Sequence, residues 1–227
     1  MSIVSRLARY DDPNSLASRM RRKRSVRIRQ LIEATYAEER ECRILDIGGE
    51  ARYWQLFEDD FLRQNGVSIT LLNHTDEYVG NAPDPSLFTI VLGDGCRLPF
   101  PDKAFAIAHS NSVIEHVGDW KRKLAFAAET RRVAKRYYVQ MPAFSFPIEP
   151  HYGMPFFHWL PEPARIWMLQ HFALGHYPRL PDLLDAVRCH EDVRLISRQQ
   201  FTFLFPDAAI EQERLMGLTK SLMAVRG

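Results

Sequence analysis

The chain lacks any run of about 18 uncharged apolar residues, the length a membrane-spanning helix needs. Its longest uncharged stretches, 137–148 and 166–178, are shorter and contain Pro, Gln or His. Residues 1–14 lack the apolar core of a secretory signal. Cysteine is scarce: Cys42, Cys96 and Cys189 stand far apart, with no CxxC pair and no disulfide framework. A reducing, cytoplasmic compartment is expected. The Gly-x-Gly-x-x-Gly fingerprint is missing, which counts against a nicotinamide-dependent oxidoreductase. No internal repeat is found, and 11 Gly and 14 Pro are ordinary counts that exclude collagen-like and low-complexity classes.

What is present suits one globular domain. Of 227 residues 46% are hydrophobic, too many for a disordered chain. Charge is unevenly spread. Residues 1–30 hold nine Arg or Lys and two Asp, leaving 21 basic against 26 acidic residues in the remainder. A basic head therefore sits on a mildly acidic body.

Pro13-Asn14-Ser15 reads as a helix start, with Asn14 or Ser15 as cap. Leu16, Met20, Ile28, Leu31, Ile32 and Tyr36 then share a helical face, while Ser18, Arg22, Ser25 and Arg29 fall elsewhere. The helix should end before Glu41. Ile44, Leu45 and Ile47 predict a first buried strand, ended by Gly48-Gly49. A helix is expected over 53–61, and strands over 67–72, 87–92 and 105–109. Residues 121–134 have helical spacing and 137–141 form a fifth strand stopped by Pro142. Strands alternating with helix-length connections predict a parallel sheet covered on both faces. Eight prolines then crowd residues 142–181, interleaved with aromatics that are too apolar for a linker. An inserted cap with one helix near 162–174 is expected there. A helix near 197–204 and two strands over 208–216 and 218–225 close the chain.

Four places carry chemistry. Asp46-Ile47-Gly48-Gly49 ends a strand, where glycines allow a tight turn and close approach of a ligand. Asn73 ends the second strand, a place that often bonds ribose hydroxyls. Asp94 lies between Gly93 and Gly95, ahead of Cys96 and an apolar run that can flank an aromatic base. His109 to Val117 (HSNSVIEHV) follows the fourth strand and holds one Glu and two His able to do acid–base work. Each also reads as an ordinary turn or structural hydrogen-bond partner, and Glu115 can cap or pair locally. It is their succession along one carboxyl edge of a sheet that points to a nucleotide-type ligand.

At these residues the chain resembles the class I S-adenosylmethionine-dependent methyltransferases, in particular the methyltransferase type 11 group. ILDIGG is similar to the first motif of that family, VLGDGCRLPFPDKAF to its adenine-side loop, HSNSVIEHV to the segment passing the methionine end, and ERLMGLTKSLMAVR to its closing hairpin. The resemblance implies a Rossmann-like α/β fold: a seven-stranded, mostly parallel sheet with one antiparallel strand, helices on both faces and an aromatic-rich insert after strand five. It implies S-adenosyl-L-methionine as cofactor. Asp46, Gly48 and Gly49 would hold its methionine and ribose end, Asn73 the ribose, Asp94 the adenine amino group with Gly95 or Cys96 beside the ring, and Asn111 the sulfonium. Glu50 and Arg52 replace further glycines of the family motif, Asn73 replaces the usual acid, and Ala106 stands where Asp is common. The first two departures leave a non-catalytic S-adenosylmethionine-binding interaction or regulatory protein as the alternative.

Methyl transfer from a sulfonium needs in-line placement more than a dedicated residue, and a base only where the acceptor is protonated. His116, His151 and Glu149 are the candidate catalytic residues. The histidine pairs 109/116, 151/158 and 171/176 lack the i, i+4 spacing of a helical zinc pair, so no metal is expected. The basic head carries no accompanying nucleic-acid motif, so a nucleic-acid acceptor is not expected. The insert, through Phe156, Phe157, Trp159, Trp167 and Met168, reads equally as an extension of the core over the sheet edge and as an apolar acceptor pocket; the basic helix reads as a solvated face or, with the insert, as a peripheral contact with the inner membrane surface. Together these readings give one domain over 1–227, with a basic helical segment at 1–40 and a cap at 142–190. It would methylate a small-molecule, glycan-linked or lipid-linked acceptor.

Overall fold

The computed structural model describes residues 16–75, 84–175 and 177–227. The expected cap at Asn14 or Ser15 lies outside them. Helix α1 (Leu16–Glu39) leads into β1 (Cys42–Ile47), α2 (Ala51–Trp54), α3 (Asp59–Gln64), β2 (Val67–Asn73) and β3 (Phe88–Leu92). Then follow β4 (Phe105–Asn111), α4 (Trp120–Val133) and β5 (Ala134–Pro142). After the insert, α7 (Arg198–Leu204) precedes β8 (Ala209–Leu215) and β9 (Leu218–Arg226). The seven long strands form one sheet in the order β3-β2-β1-β4-β5-β9-β8. Only β9 runs against its neighbours, pairing antiparallel with both β5 and β8.

Strand alternation splits the core into two layers. Ile44, Ile69, Ile107, Met223 and Val225 face α1, α2 and α3. Leu45, Ile47, Ala108, Val139, Leu222 and Ala224 face Phe126, Ala127 and Val133 of α4 and Phe201 and Leu204 of α7. Asp119 caps α4 by accepting from the Arg122 N–H at 2.9 Å. Ser197 and Gln200 form a reciprocal capping box on α7.

Three expectations shift. The helix expected over 53–61 is two short ones, because Glu58 is extended and a new helix starts with Asp59 and Asp60 in its first turn. Acids there suit the positive end of the helix dipole. In α1, Ser18 and Ser25 are buried rather than solvated, and the Ser25 hydroxyl satisfies itself on the Arg22 carbonyl at 2.8 Å. The insert is more ordered than one helix: β6 (Ile148–Glu149) and β7 (Met154–Pro155) form a tiny hairpin, ahead of α5 (Glu162–His171) and α6 (Leu183–Glu191). Asp182 starts α6 by capping the Asp185 N–H. The insert has its own small core of Tyr152, Phe157, Leu169, Leu174, Ala186 and Cys189.

The described part of the basic head, in α1, is docked on the acidic body. Arg24 meets Glu213 at 2.7 Å, Arg27 meets Glu211 at 3.0 Å, and Arg29 pairs with Glu58. None of the helices among the described residues is long and apolar enough to cross a membrane.

Candidate active site

The carboxyl ends of β1, β2, β3 and β4 open onto a cavity of about 750 Å³. Asp46, Gly48, Gly49, Asn73, Asp94, Gly95 and Asn111 all line it. The β1 turn is shaped by its glycines. Gly48 has φ +71°, and a Cβ on Gly49 would stand 1.9 Å from Asp46 Oδ2. The Asn73 amide donates to the Gly49 carbonyl at 2.8 Å, fastening the β2 end to the turn. A Cβ on Gly95 would stand 2.9 Å from Ile47, so the loop after β3 lies hard against β1.

Asp46 has both oxygens committed within the protein. The Trp54 indole N–H donates to Oδ2 at 2.8 Å, and His109 Nδ1 lies 2.6 Å from Oδ1. The sheet register dictates this: Asp46 stands opposite His109, and His109 opposite Tyr138, all on one face. His109 stacks on Tyr138 at 5.7 Å and against Tyr53 at 4.6 Å. Sequence reading placed Asp46 at the ligand but passed over Trp54, whose only signal was an aromatic helix directly after the glycine turn.

Asp94 accepts from the Cys96 N–H at 2.9 Å and from Arg122 at 3.0 and 3.1 Å. Burial pulls its carboxyl up, but those donors win and hold it below the usual carboxylate value. Cys96 is the exception among the expected cofactor residues. Its thiol turns away to the Arg122 carbonyl at 3.3 Å, and it does not line the cavity. Arg21 and Arg24 of α1 do line it, where the sequence offers that basic stretch as either an anion-binding segment or a solvated helix face.

Beyond β4 the wall becomes the HSNSVIEHV segment. Asn111 Oδ1 is buried with no hydrogen-bond partner among the described residues. Ser112 adopts φ +58°, clamped by Gln140, whose carbonyl and side chain take its N–H and hydroxyl at 3.0 Å each. A left-handed non-glycine residue is strain kept where a site needs it. Of the three candidate catalytic residues, only His116 lines the cavity. Its Nδ1 meets the Asp192 carbonyl at 3.0 Å and its Nε2 meets His151 Nε2 at 3.1 Å. Both ring nitrogens thus point at protein. His151 Nδ1 meets Glu149 Oε1 at 2.7 Å, and Glu149 Oε2 accepts from the Tyr152 N–H. Glu149 lines a second, smaller cavity of about 380 Å³ with Tyr152, His158 and Arg194.

Burial sets the charges here. It lowers His116 to about 4. It also disfavours a charged His151, but Glu149 outweighs it and raises that imidazole. It pushes Glu115 up to about 7. Glu115 neither caps nor pairs: both its oxygens are buried without a hydrogen-bond partner among the described residues. Of the expected aromatic acceptor pocket, Phe157 alone lines a cavity, the second one, beside Phe144 and Tyr152. Of its five residues, Phe157 is buried in the insert core and Met168 packs against it, while Phe156, Trp159 and Trp167 are exposed.

Residues 45–137 match the family model of a methyltransferase domain. A crystal structure of a SAM-dependent methyltransferase from Aquifex aeolicus superposes with a TM-score of 0.52 at 13% identity, covering 99% of this chain and 98% of that one. The PH0226 protein from Pyrococcus horikoshii OT3 gives a TM-score of 0.53 at 15% identity, covering 95% of this chain and 93% of that one. The matched segment carries the pattern of a methyltransferase domain, and the fold around it is that of the SAM-dependent methyltransferase from Aquifex aeolicus. None of the curated proteins matches the chain. The matched stretch runs from inside β1 to the start of β5, so it contains the glycine turn, Asn73, Asp94 and the HSNSVIEHV segment. A methyltransferase domain on this fold implies S-adenosyl-L-methionine as cofactor, and the residues that line the large cavity fit its parts. An unpartnered amide oxygen at Asn111, a backbone cradle at Gly48-Gly49 and the two arginines of α1 supply the polar contacts such a molecule needs.

Proposed function

We propose that the chain forms one domain in which the β1–β4 edge holds S-adenosylmethionine and the cap over 142–190 frames the acceptor. The reading is carried by the cavity wall, which changes along its length. Its β1, β2 and β3 side is glycine backbone, Asn73 and Asp94. Its far side is Asn111, Ser112, His116, Tyr177 and Asp192. In this reading Arg21 faces the methionine carboxylate, Gly48 and Gly49 the methionine and ribose, Asn73 the ribose, and Asp94 and Gly95 the adenine. Asp46 supports the turn through its oxygens, and Asn111 Oδ1 lies near the sulfonium. The acceptor enters beside His116 and aligns in line with the methyl group, which is where most of the rate comes from. Glu149 and His151 act through His116 as positioning residues.

The acceptor is a small molecule, or the polar end of a glycan- or lipid-linked one, since the cap turns Phe156, Trp159, Trp167 and Phe172 outward rather than into a pocket. Those exposed rings support a cytoplasmic protein that touches the inner membrane surface.

The test is thermal unfolding with S-adenosylmethionine, S-adenosylhomocysteine and NAD. A ligand at 100 times its dissociation constant adds about 2.7 kcal/mol. A melting shift with the two sulfur nucleotides and none with NAD supports the reading. No shift at millimolar ligand overturns it. A shift without methylation of any phenolic, amine or lipid-linked acceptor favours the non-catalytic binder.

A further inference from the structure

We infer that Glu115, His116 and His151 form a binding site for a divalent transition-metal cation at the acceptor end of the large cavity. The observation is a conflict of lone pairs. A carbonyl oxygen only accepts, so the hydrogen bond to Asp192 requires the proton of His116 to sit on Nδ1. The bond to the Glu149 carboxylate places a proton on Nδ1 of His151 in the same way. In neutral rings both Nε2 atoms are then bare, yet they face each other at 3.1 Å. Something positive belongs between them.

The third ligand decides what it is. One oxygen of Glu115 and the two imidazole nitrogens lie within 4.8 Å of one another. A lone proton would satisfy the two rings and leave both carboxylate oxygens of Glu115 buried and unpartnered, as they are now. A cation satisfies all three groups. The spacing of the two rings agrees, while the Glu115 oxygen, in a group spread over 4.8 Å, would swing in to the roughly 3.4 Å that tetrahedral ligands of one ion keep. With metal–nitrogen bonds of about 2.0–2.1 Å, two imidazole nitrogens stand about 2.9 Å apart at a right angle and about 3.4 Å apart at the tetrahedral angle. The observed separation falls between. Two histidines and one carboxylate are a ligand set for Fe²⁺, Mn²⁺, Co²⁺ or Zn²⁺ that leaves coordination positions open. The outer shell is already built as such sites require, each histidine giving its other N–H to a carboxylate or a carbonyl. Glu149 is held in turn by the Tyr152 N–H. Lys123, the nearby buried cation, has its amine on the Ile114 and Gly118 carbonyls at 2.9 Å each.

His116 lines the large cavity, so the open positions would face an acceptor. A hydroxyl or carboxylate of the acceptor would bind there, and the cation would lower the cost of its ionised form. Cation binding itself is independent of the methyltransferase reading; only this use of it rests on that reading.

The experiment uses the whole chain, stripped by a chelator and titrated with Co²⁺ while its visible absorption is followed. Zn²⁺ is titrated in parallel by calorimetry. One equivalent should bind, with the absorption of nitrogen-ligated Co²⁺. His116→Ala, His151→Ala and Glu115→Gln should each weaken binding at least tenfold. Glu149→Gln should weaken it by roughly 10–100-fold through the orientation of His151. Melting curves show which variants remain folded, and the wild-type titration stands without them. No binding of either ion at millimolar concentration overturns the inference, as does unchanged binding in folded His116 and His151 variants. S-adenosylhomocysteine binding to the same stripped protein is measured separately, so a failed cation site and a failed cofactor site are told apart.

Discussion

At the scale of single residues, the turn after β1 is held by contacts that substitution can isolate. Trp54→Phe keeps the ring and removes the indole N–H, leaving Asp46 Oδ2 buried without a donor. An unsatisfied buried acceptor costs about 1–3 kcal/mol, and the loss should show as a lower urea midpoint at unchanged slope. Gly49→Ala places a methyl group on Asp46 and should weaken S-adenosylhomocysteine binding at least tenfold by calorimetry. The glycines, Asn73, Asp94 and Asn111 were legible in the sequence because each ends a strand, and strand ends of a parallel sheet converge. Trp54 was not, and His109 and Glu115 were legible only as members of the HSNSVIEHV segment. Their roles depend on side-chain direction and cross-strand register, and neither is written in local spacing. His116 was legible as a site residue, but its ring orientation was not.

At the scale of elements, two contacts fix pieces that line the cavity. Arg24 joins α1 to Glu213 of β8, where the carboxylate side chain is 3% exposed. Arg24→Ala strands that charge and should destabilise the fold by about 3–5 kcal/mol in denaturant titrations, since removing one partner leaves a buried ion. The charge split between head and body was visible in the sequence. That it closes within the molecule was not, because β8 lies far along the chain. Glu129 and Arg132 of α4 brace the loop before β4: Glu129 accepts from the Leu98 N–H at 2.7 Å, and Arg132 reaches the Phe100 carbonyl at 2.7 Å. The Arg132 guanidinium first, and then the Leu98 N–H, hold the Glu129 carboxyl below its usual value. A depressed carboxylate stabilises the fold above its unfolded value of about 4.3, and that gain disappears as pH falls through the folded value. Glu129→Gln should therefore melt below the wild type at neutral pH, and the gap should close on acidification. Element boundaries followed the apolar runs closely. The break between α2 and α3 and the whole of α6 were missed because α3 and α6 begin at acidic residues, Asp59 with Asp60 and Asp182, that carry no apolar period.

At the scale of the whole molecule, the insert makes a body of its own over the cavity end. Its buried side chains keep to themselves, and Phe156, Trp159, Trp167, Phe172, Leu183 and Leu184 remain in water. The proposed membrane contact would use these side chains, if they form one continuous apolar patch. Sedimentation with anionic vesicles at low salt should carry the protein down, and Trp159→Ser with Trp167→Ser should leave it in solution. Failure of the wild type to sediment removes the membrane contact and leaves the acceptor site as it is. The density of Pro and aromatics foretold the insert. Composition left two directions open for its rings, a pocket wall or a membrane-facing surface, since it does not say which side of a cap faces the solvent.

The last strand in sequence enters the sheet between β5 and β8 rather than at a rim. While residues 218–226 are still inside the ribosome, β5 presents a bare edge and β8 has no strand to lie against. The nucleotide edge, by contrast, is built wholly from residues that emerged earlier. During synthesis the ligand-binding half therefore waits beside an open, apolar border. A nascent chain stalled before residue 218 is the form of this protein that a chaperone would recognise.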